Sequence, residues 1–177
     1  MNILRGIFDR IVLVVTVVAA GCIPSFITQY QQRVGGMLTQ VLQDIAPFQA
    51  IANQFHEGSL QILIRHHLDS SDPTFYSEGV AIQAMVDAAE RLGRMSEALN
   101  TDLFSQVKYL FTYMDAAIAR ATWEMYTPSF GLSAESILLS AGVGMSAWLI
   151  FIVTWFVLAR LIQFFIDRRN NQDKRSI

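Results

Sequence analysis

The chain contains a single cysteine, which excludes an internal disulfide framework and a cysteine-rich zinc site. Charge is also scarce. Asp, Glu, Lys and Arg make up 16% of the 177 residues, where a soluble domain usually carries roughly 25%. The net charge of −2 shows no excess of basic residues, so binding nucleic acid by neutralising phosphates is disfavoured. No Asn-Gly hairpin turn and no sustained alternation of apolar and polar residues occurs, so there is no sheet signal. A phosphate-cradling loop is missing too, because Gly35-Gly36 runs into Met37-Leu38 rather than Lys-Ser.

What the chain has is apolar length. No charged side chain occurs from Ile11 to Thr28, over 18 residues, or from Ser136 to Ala159, over 24. A helix needs about 20 apolar residues to cross the hydrocarbon of a bilayer. The second run exceeds this, and the first reaches it with Ile7, Phe8 and Tyr30. The flanks predict the orientation. Seven basic residues (Arg5, Arg10, Arg160, Arg168, Arg169, Lys174, Arg175) and three acidic ones lie outside 31–135, whereas that segment holds six basic and twelve acidic residues. Basic flanks stay in the cytoplasm. The expected layout is therefore a cytoplasmic N-terminus at 1–10 and a first span at 11–30. A periplasmic helical domain follows at 31–131, then a second span at 134–159 and a basic cytoplasmic tail at 160–177. The location implied is a bacterial inner membrane. Tyr30, and Trp123, Tyr126 and Phe130 ahead of the second span, stand where an interfacial aromatic belt is expected. The run Ile11–Val18 followed by Ala19-Ala20-Gly21-Cys22 also resembles a secretory signal ending in a lipid-attachment cysteine. Apolar residues continue through Ile23, Phe26 and Ile27, which favours Cys22 as a small residue inside a membrane helix.

Helical periodicity dominates the middle segment. Val34, Leu38, Val41, Ile45, Phe48, Ala52 and Phe55 are spaced alternately four and three apart, an a/d heptad seam on a helix running on from the first span. Pro24 should kink its start and Pro47 should kink it or restart a helix near Ala46. Gly35 and Gly36 mark a bend or a close approach by another helix. A short helix is expected over 58–68, with Leu60, Leu63, Ile64 and His67 on one face. Asp72 and Pro73 read as N-cap and first position of a helix reaching Leu99, with Phe75, Ile82, Val86, Ala89 and Leu92 inward. A last helix, capped by Thr101, is expected over 102–125 with the stripe Leu103, Val107, Leu110, Met114, Ala117, Ala121 and Met125. Ser133 is a plausible cap for the second span. The fold class is thus an all-α membrane protein, two transmembrane helices flanking an antiparallel bundle of three to four helices. The same seam, Val34, Leu38, Val41 and Ile45 included, could instead pair with other copies of the chain.

Candidate chemistry is sparse. His56, His66 and His67 with Glu57, Asp69 and Asp72 are the one cluster of metal-ligand types, but only His66 and Asp69 have convergent helical spacing. The expectation is a polar turn at the membrane-distal tip, with no metal and no cofactor. No nucleophile–base pattern is visible, so no catalytic residue and no enzyme activity is expected. Asp87, Glu90, Glu97, Asp102 and Asp115 interleaved with Arg91, Arg94 and Lys108 read as solvated helix faces. Ser136, Ser140 and Gly144 recur every four residues, with Gly142 and Ser146 on the neighbouring row. Small residues at this spacing let membrane helices approach closely, here against the first span, a second copy or another protein.

The stretch Pro24-Ser25-Phe26-Ile27-Thr28-Gln29-Tyr30-Gln31-Gln32-Arg33-Val34-Gly35-Gly36, the turn Ser71-Asp72-Pro73, and Thr127-Pro128 through Gly144 carry a resemblance across nearly the whole chain. It resembles a family of small two-span inner-membrane proteins of proteobacteria, defined as a domain of unknown function. The resemblance implies an inner-membrane location and a helical extramembrane part, and no activity. The expected function is a scaffold or accessory subunit presenting a helical surface. Its partners would be the lipid bilayer and another membrane protein or a second copy, and not nucleic acid. The alternative is a ligand-sensing module acting through a partner, and a pore built around the second span ranks below both.

Overall fold

A computed structural model describes residues 2–173, with side chains for residues 6–161. Lys174 and Arg175 of the expected basic tail lie outside the described residues, as do the side chains of Arg5, Arg168 and Arg169. The described chain is all helical, without a strand: α1 (Asn2–Phe55), α2 (Leu60–Leu68), α3 (Pro73–Leu99), α4 (Leu103–Tyr113), α5 (Ala116–Glu124) and α6 (Ala134–Asp173). It divides into two compact units, the first being the chain up to Ser25 with the chain from Pro128 onward, the second Phe26–Thr127. In α1 and α6, residues 6–55 and 134–161 are long and apolar enough to cross a membrane.

Local chemistry explains where the helices begin. Ser59 accepts from the Ile62 N–H at 3.3 Å to start α2. Asp72 accepts from the Thr74 N–H at 2.8 Å, with Pro73 in the first turn of α3 where its missing N–H costs nothing. Ser133 accepts from the Ser136 N–H at 3.1 Å ahead of α6. Between α1 and α2 the chain turns through Glu57 and Gly58, both at positive φ, a conformation that glycine adopts freely.

Within the second unit, the α1 seam points inward for most of its length. Val34, Ile45 and Ala52 are buried, Leu38, Val41 and Phe48 half-buried, and only Phe55, the last residue of the helix, is exposed. Pro47 starts no new helix, and α1 continues unbroken past it. At Gly35 and Gly36 an added Cβ would meet open space, so among the described residues no neighbour packs closely there. The close approach is at Gly79 instead. A Cβ on Gly79 would lie 2.8 Å from the His67 Cβ and 3.1 Å from the Leu68 backbone nitrogen, so α2 packs directly on the first turns of α3. Leu63, Ile64, Ile82, Leu92, Met95 and Leu99 bury alongside, while Phe75, expected inward, is partly exposed and stacks on His67.

The expected single helix over 102–125 is two helices. α4 ends at Tyr113, Met114 is extended at φ −58 and ψ 126, and Asp115 caps α5 by accepting from the Ala117 and Ile118 N–H groups at 3.0 and 3.1 Å. An aspartate whose side chain accepts from the N–H groups two and three residues on competes with continuation of the helix. After the break the inward set becomes Ile118, Ala119 and Thr122, and the later members of the expected stripe, Ala117 and Met125, are exposed. The cap of α4 is Asp102, not Thr101, whose hydroxyl donates back to the Ala98 carbonyl.

Two predictions follow from this packing. Gly79→Ala should lower the stability of the detergent-solubilised chain by about 1–3 kcal/mol, because His67 and Leu68 must give way. Gly93→Ala, where the added methyl meets open space, should be neutral or stabilising by up to about 1 kcal/mol; thermal unfolding of the pair distinguishes close packing from a general helix effect. The Ser105 hydroxyl and the Ser105 and Phe104 N–H groups hold the Asp102 carboxyl below the ordinary aspartate range. Its contribution is therefore full above about pH 4, the unfolded value, and is lost as the pH falls through the lowered native value. Asp102→Asn, which caps without titrating, should flatten that acid-side loss in a melting-temperature series against pH.

Candidate functional site

The most tightly specified place in the second unit is the corner between α4 and α5. Tyr30 of α1 is fully buried, and its hydroxyl accepts from the Asp115 N–H at 3.1 Å. The Asp115 side chain does two jobs: Oδ1 caps α5, and Oδ2 lies 3.1 Å from Nη1 of Arg91 on α3. Three helices thus meet on one residue. The other end of α5 is also held by α1. Arg33 Nη2 donates to the Ala121 carbonyl at 2.8 Å and approaches the Met125 sulfur at 3.3 Å, a cation where the helix dipole is negative. Gln29 donates to the Thr127 carbonyl at 3.3 Å. Around these bonds Phe26 packs on Tyr126 edge to face at 5.5 Å and on Trp123 at 6.1 Å, and Trp123 stacks on Tyr126 at 5.6 Å.

This corner revises one expectation and adds to another. Tyr30 is a core residue of this unit rather than an exposed belt aromatic. Asp115 and Arg91, expected on a solvated face, are partly exposed and also bridge α5 to α3. The available signal was Asp115 followed by Ala-Ala-Ile, an N-cap composition, but the apolar stripe running through it at helical spacing masked it.

In the first unit, Ser136 and Ser140 are buried and Gly144 is closed over. A Cβ on Gly144 would collide with Val17 Cγ2, and one on Gly21 would collide with the edge of the Phe130 ring. The Gly131 N–H donates to the Gly21 carbonyl at 2.9 Å, and the Ser129 and Ser25 hydroxyls are 2.7 Å apart. The row 136, 140 and 144 therefore faces the N-terminal part of α1 in the same chain. The adjacent row, Gly142 and Ser146, is exposed, with open space around Gly142. Cys22 is half-buried inside α1. At the far end of the apolar stretch the Arg160 guanidinium lies 5.3 Å from the Phe156 ring centre.

The histidines gather around α2. His67 is buried, its Nδ1 2.9 Å from the Leu63 carbonyl and its ring stacked at 4.3 Å on Phe75. The Leu63 carbonyl can only accept, so Nδ1 is the donor of that bond, and Nε2 lies 3.9 Å from a Glu78 carboxylate oxygen. His56 and His66 lie 5.4 Å apart, ring centre to ring centre. Among the described residues no group of three His, Cys, Asp or Glu side chains is arranged to hold a metal ion.

What these elements define is an all-helical chain with two helices long and apolar enough to cross a membrane. The chain belongs to the family described as "Protein of unknown function (DUF2937)", whose model matches residues 4–164. No curated protein and no solved structure matches it.

The Tyr30–Asp115 bond generates a test. Tyr30→Phe keeps the ring and removes the acceptor, leaving a partly buried N–H without its partner. The loss should be about 1–3 kcal/mol at unchanged helix content, read by thermal unfolding followed by circular dichroism. An unchanged melting temperature would show that the corner is held by apolar packing alone.

Proposed function

We propose that the protein is a non-enzymatic inner-membrane protein that holds a helical unit on the periplasmic face as a scaffold or accessory subunit of a membrane complex. Both termini lie in the cytoplasm, and residues 31–131 form an antiparallel helical bundle outside. The observation that carries this reading is the arrangement of charge around the two apolar helices. The segment between them is net acidic, and the chain beyond them is net basic, as the positive-inside rule requires. The build of the second unit supports a scaffold. Part-buried hydrogen bonds, an ion pair and aromatic packing are spent on fixing α5 against α1 and α3, and the polar groups brought together there cap and bridge helices. The row Ser136, Ser140 and Gly144 of α6 is occupied by α1, while the row Gly142 and Ser146 and the second unit stay open to a partner.

Two measurements test this. With Cys22 replaced by alanine, a cysteine at Gln61 should react with a membrane-impermeant maleimide in intact spheroplasts, and one placed after Ile177 should react only after lysis. The reverse pattern would invert the topology and end the periplasmic reading. Gentle solubilisation from native membranes should then yield a particle larger than one chain in its detergent micelle. Consistent recovery of a single chain would remove the scaffold role and leave the sensing alternative.

A further inference from the structure

We propose that the α4–α5 corner lies in the headgroup layer of the same bilayer that the two spans cross, with Phe111, Tyr113, Trp123 and Met125 seated against lipid. This rests on the membrane reading above and adds a third contact, made by residues remote in sequence from the first span. The starting observation is where apolar surface is left open. In the unit Phe26–Thr127, five large apolar or aromatic side chains are at least 65% exposed, and four of them fall between residues 111 and 125: Phe111 at 85%, Met125 at 75%, Tyr113 at 70% and Trp123 at 65%. A soluble surface rarely concentrates such residues without a use for them.

Their position decides what covers them. Asp115 is tied to Tyr30, Ala121 and Met125 to Arg33, Trp123 and Tyr126 to Phe26, and Thr127 to Gln29. These ties of the α5 region reach α1 between residues 26 and 33. At 1.5 Å per residue that is about 10 Å of helix axis, comparable to the headgroup layer on one side of a bilayer. This stretch overlaps the end of the first apolar run and continues past it, and Thr127 passes directly into the chain that leads to α6. The corner is therefore held at the membrane-proximal end of its unit by bonds inside that unit.

The chemistry fits lipid headgroups rather than hydrocarbon or water. Trp and Tyr carry an apolar body and a polar tip and concentrate at the membrane–water boundary. The charged residues between 111 and 125 are already paired: Asp115 with Arg91 at 3.1 Å, and Arg120 with Glu124 at 3.5 Å. A segment so neutralised enters an interface at lower cost than one with lone charges. Lys108, one turn before Phe111, is exposed and can extend its stem along the apolar surface to reach a phosphate.

The test uses the full chain with Cys22→Ala, reconstituted into vesicles of phosphatidylethanolamine and phosphatidylglycerol. Spin labels are placed singly at Phe111→Cys, Gln61→Cys and Val153→Cys, and each is probed for collision with oxygen, which partitions into lipid, and with a water-soluble nickel chelate. The expected result is an oxygen-to-nickel accessibility ratio at 111 several-fold above that at 61 and below that at 153. A ratio at 111 equal to that at 61, with 153 still lipid-like, would overturn the seat while leaving the membrane reading intact. A label at 111 shielded from both reagents would also overturn it, because a protein surface would then cover the corner. A water-like ratio at 153 would overturn the membrane reading and the seat together.

Discussion

The bond from the Asp115 backbone to the buried hydroxyl of Tyr30 is the constraint on which the second unit turns. It takes a backbone donor that a continuing helix would have consumed and gives it to a side chain on another helix. The same aspartate then supplies the acceptors that restart the helix two residues on. The chain after α4 is thereby redirected, and α5 is laid across α1 with Arg33 holding its far end. Without that redirection the stripe from Leu103 to Met125 would stay on one straight face. Ile118, Ala119 and Thr122 would then lose their burial.

Much of this architecture was readable from residue types. The heptad seam on α1 worked because an a/d spacing sustained over six intervals has few alternative meanings, and Val34, Ile45 and Ala52 are indeed buried. The limits of α3 were readable because Asp72-Pro73 combines a side-chain cap with a residue that belongs in a first helical turn. The α4–α5 break was not readable. Helical spacing persists through Met114 and Ala117, and an aspartate on a helix usually signals solvent. What decides the matter is a tyrosine 85 residues away. Gly79 was missed for the related reason that a glycine says a neighbour can come close without saying which one does.

The small-residue face shows the same limit from the other side. Spacing alone places Ser136, Ser140 and Gly144 on one row and Gly142 and Ser146 on the next, with no means of ranking them. Volume ranks them: Val17 occupies the position of a Cβ on Gly144, with Leu13 in ordinary contact beside it, whereas nothing lies within 4 Å of one on Gly142. Close approach is useful in a membrane because lipid supplies no hydrophobic force between helices, so contact area and fit must supply the attraction.

The polar groups of that face bear on what the spans can do. The Ser140 hydroxyl donates to the Ser136 carbonyl at 2.6 Å, Ser146 to Gly142 at 2.8 Å and Thr16 to Val12 at 2.7 Å. Each is satisfied one turn back on its own helix, which is how a hydroxyl is carried through hydrocarbon without a partner helix or water. The runs they sit in carry no charge from Ile11 to Thr28 or from Ser136 to Ala159. A pathway for ions or protons through a single copy would need polar groups directed into a shared channel. Here a close fit joins Gly144 of α6 to Val17 of α1, and the polar ties that fix α5 to α1 and α3 lie in the unit Phe26–Thr127.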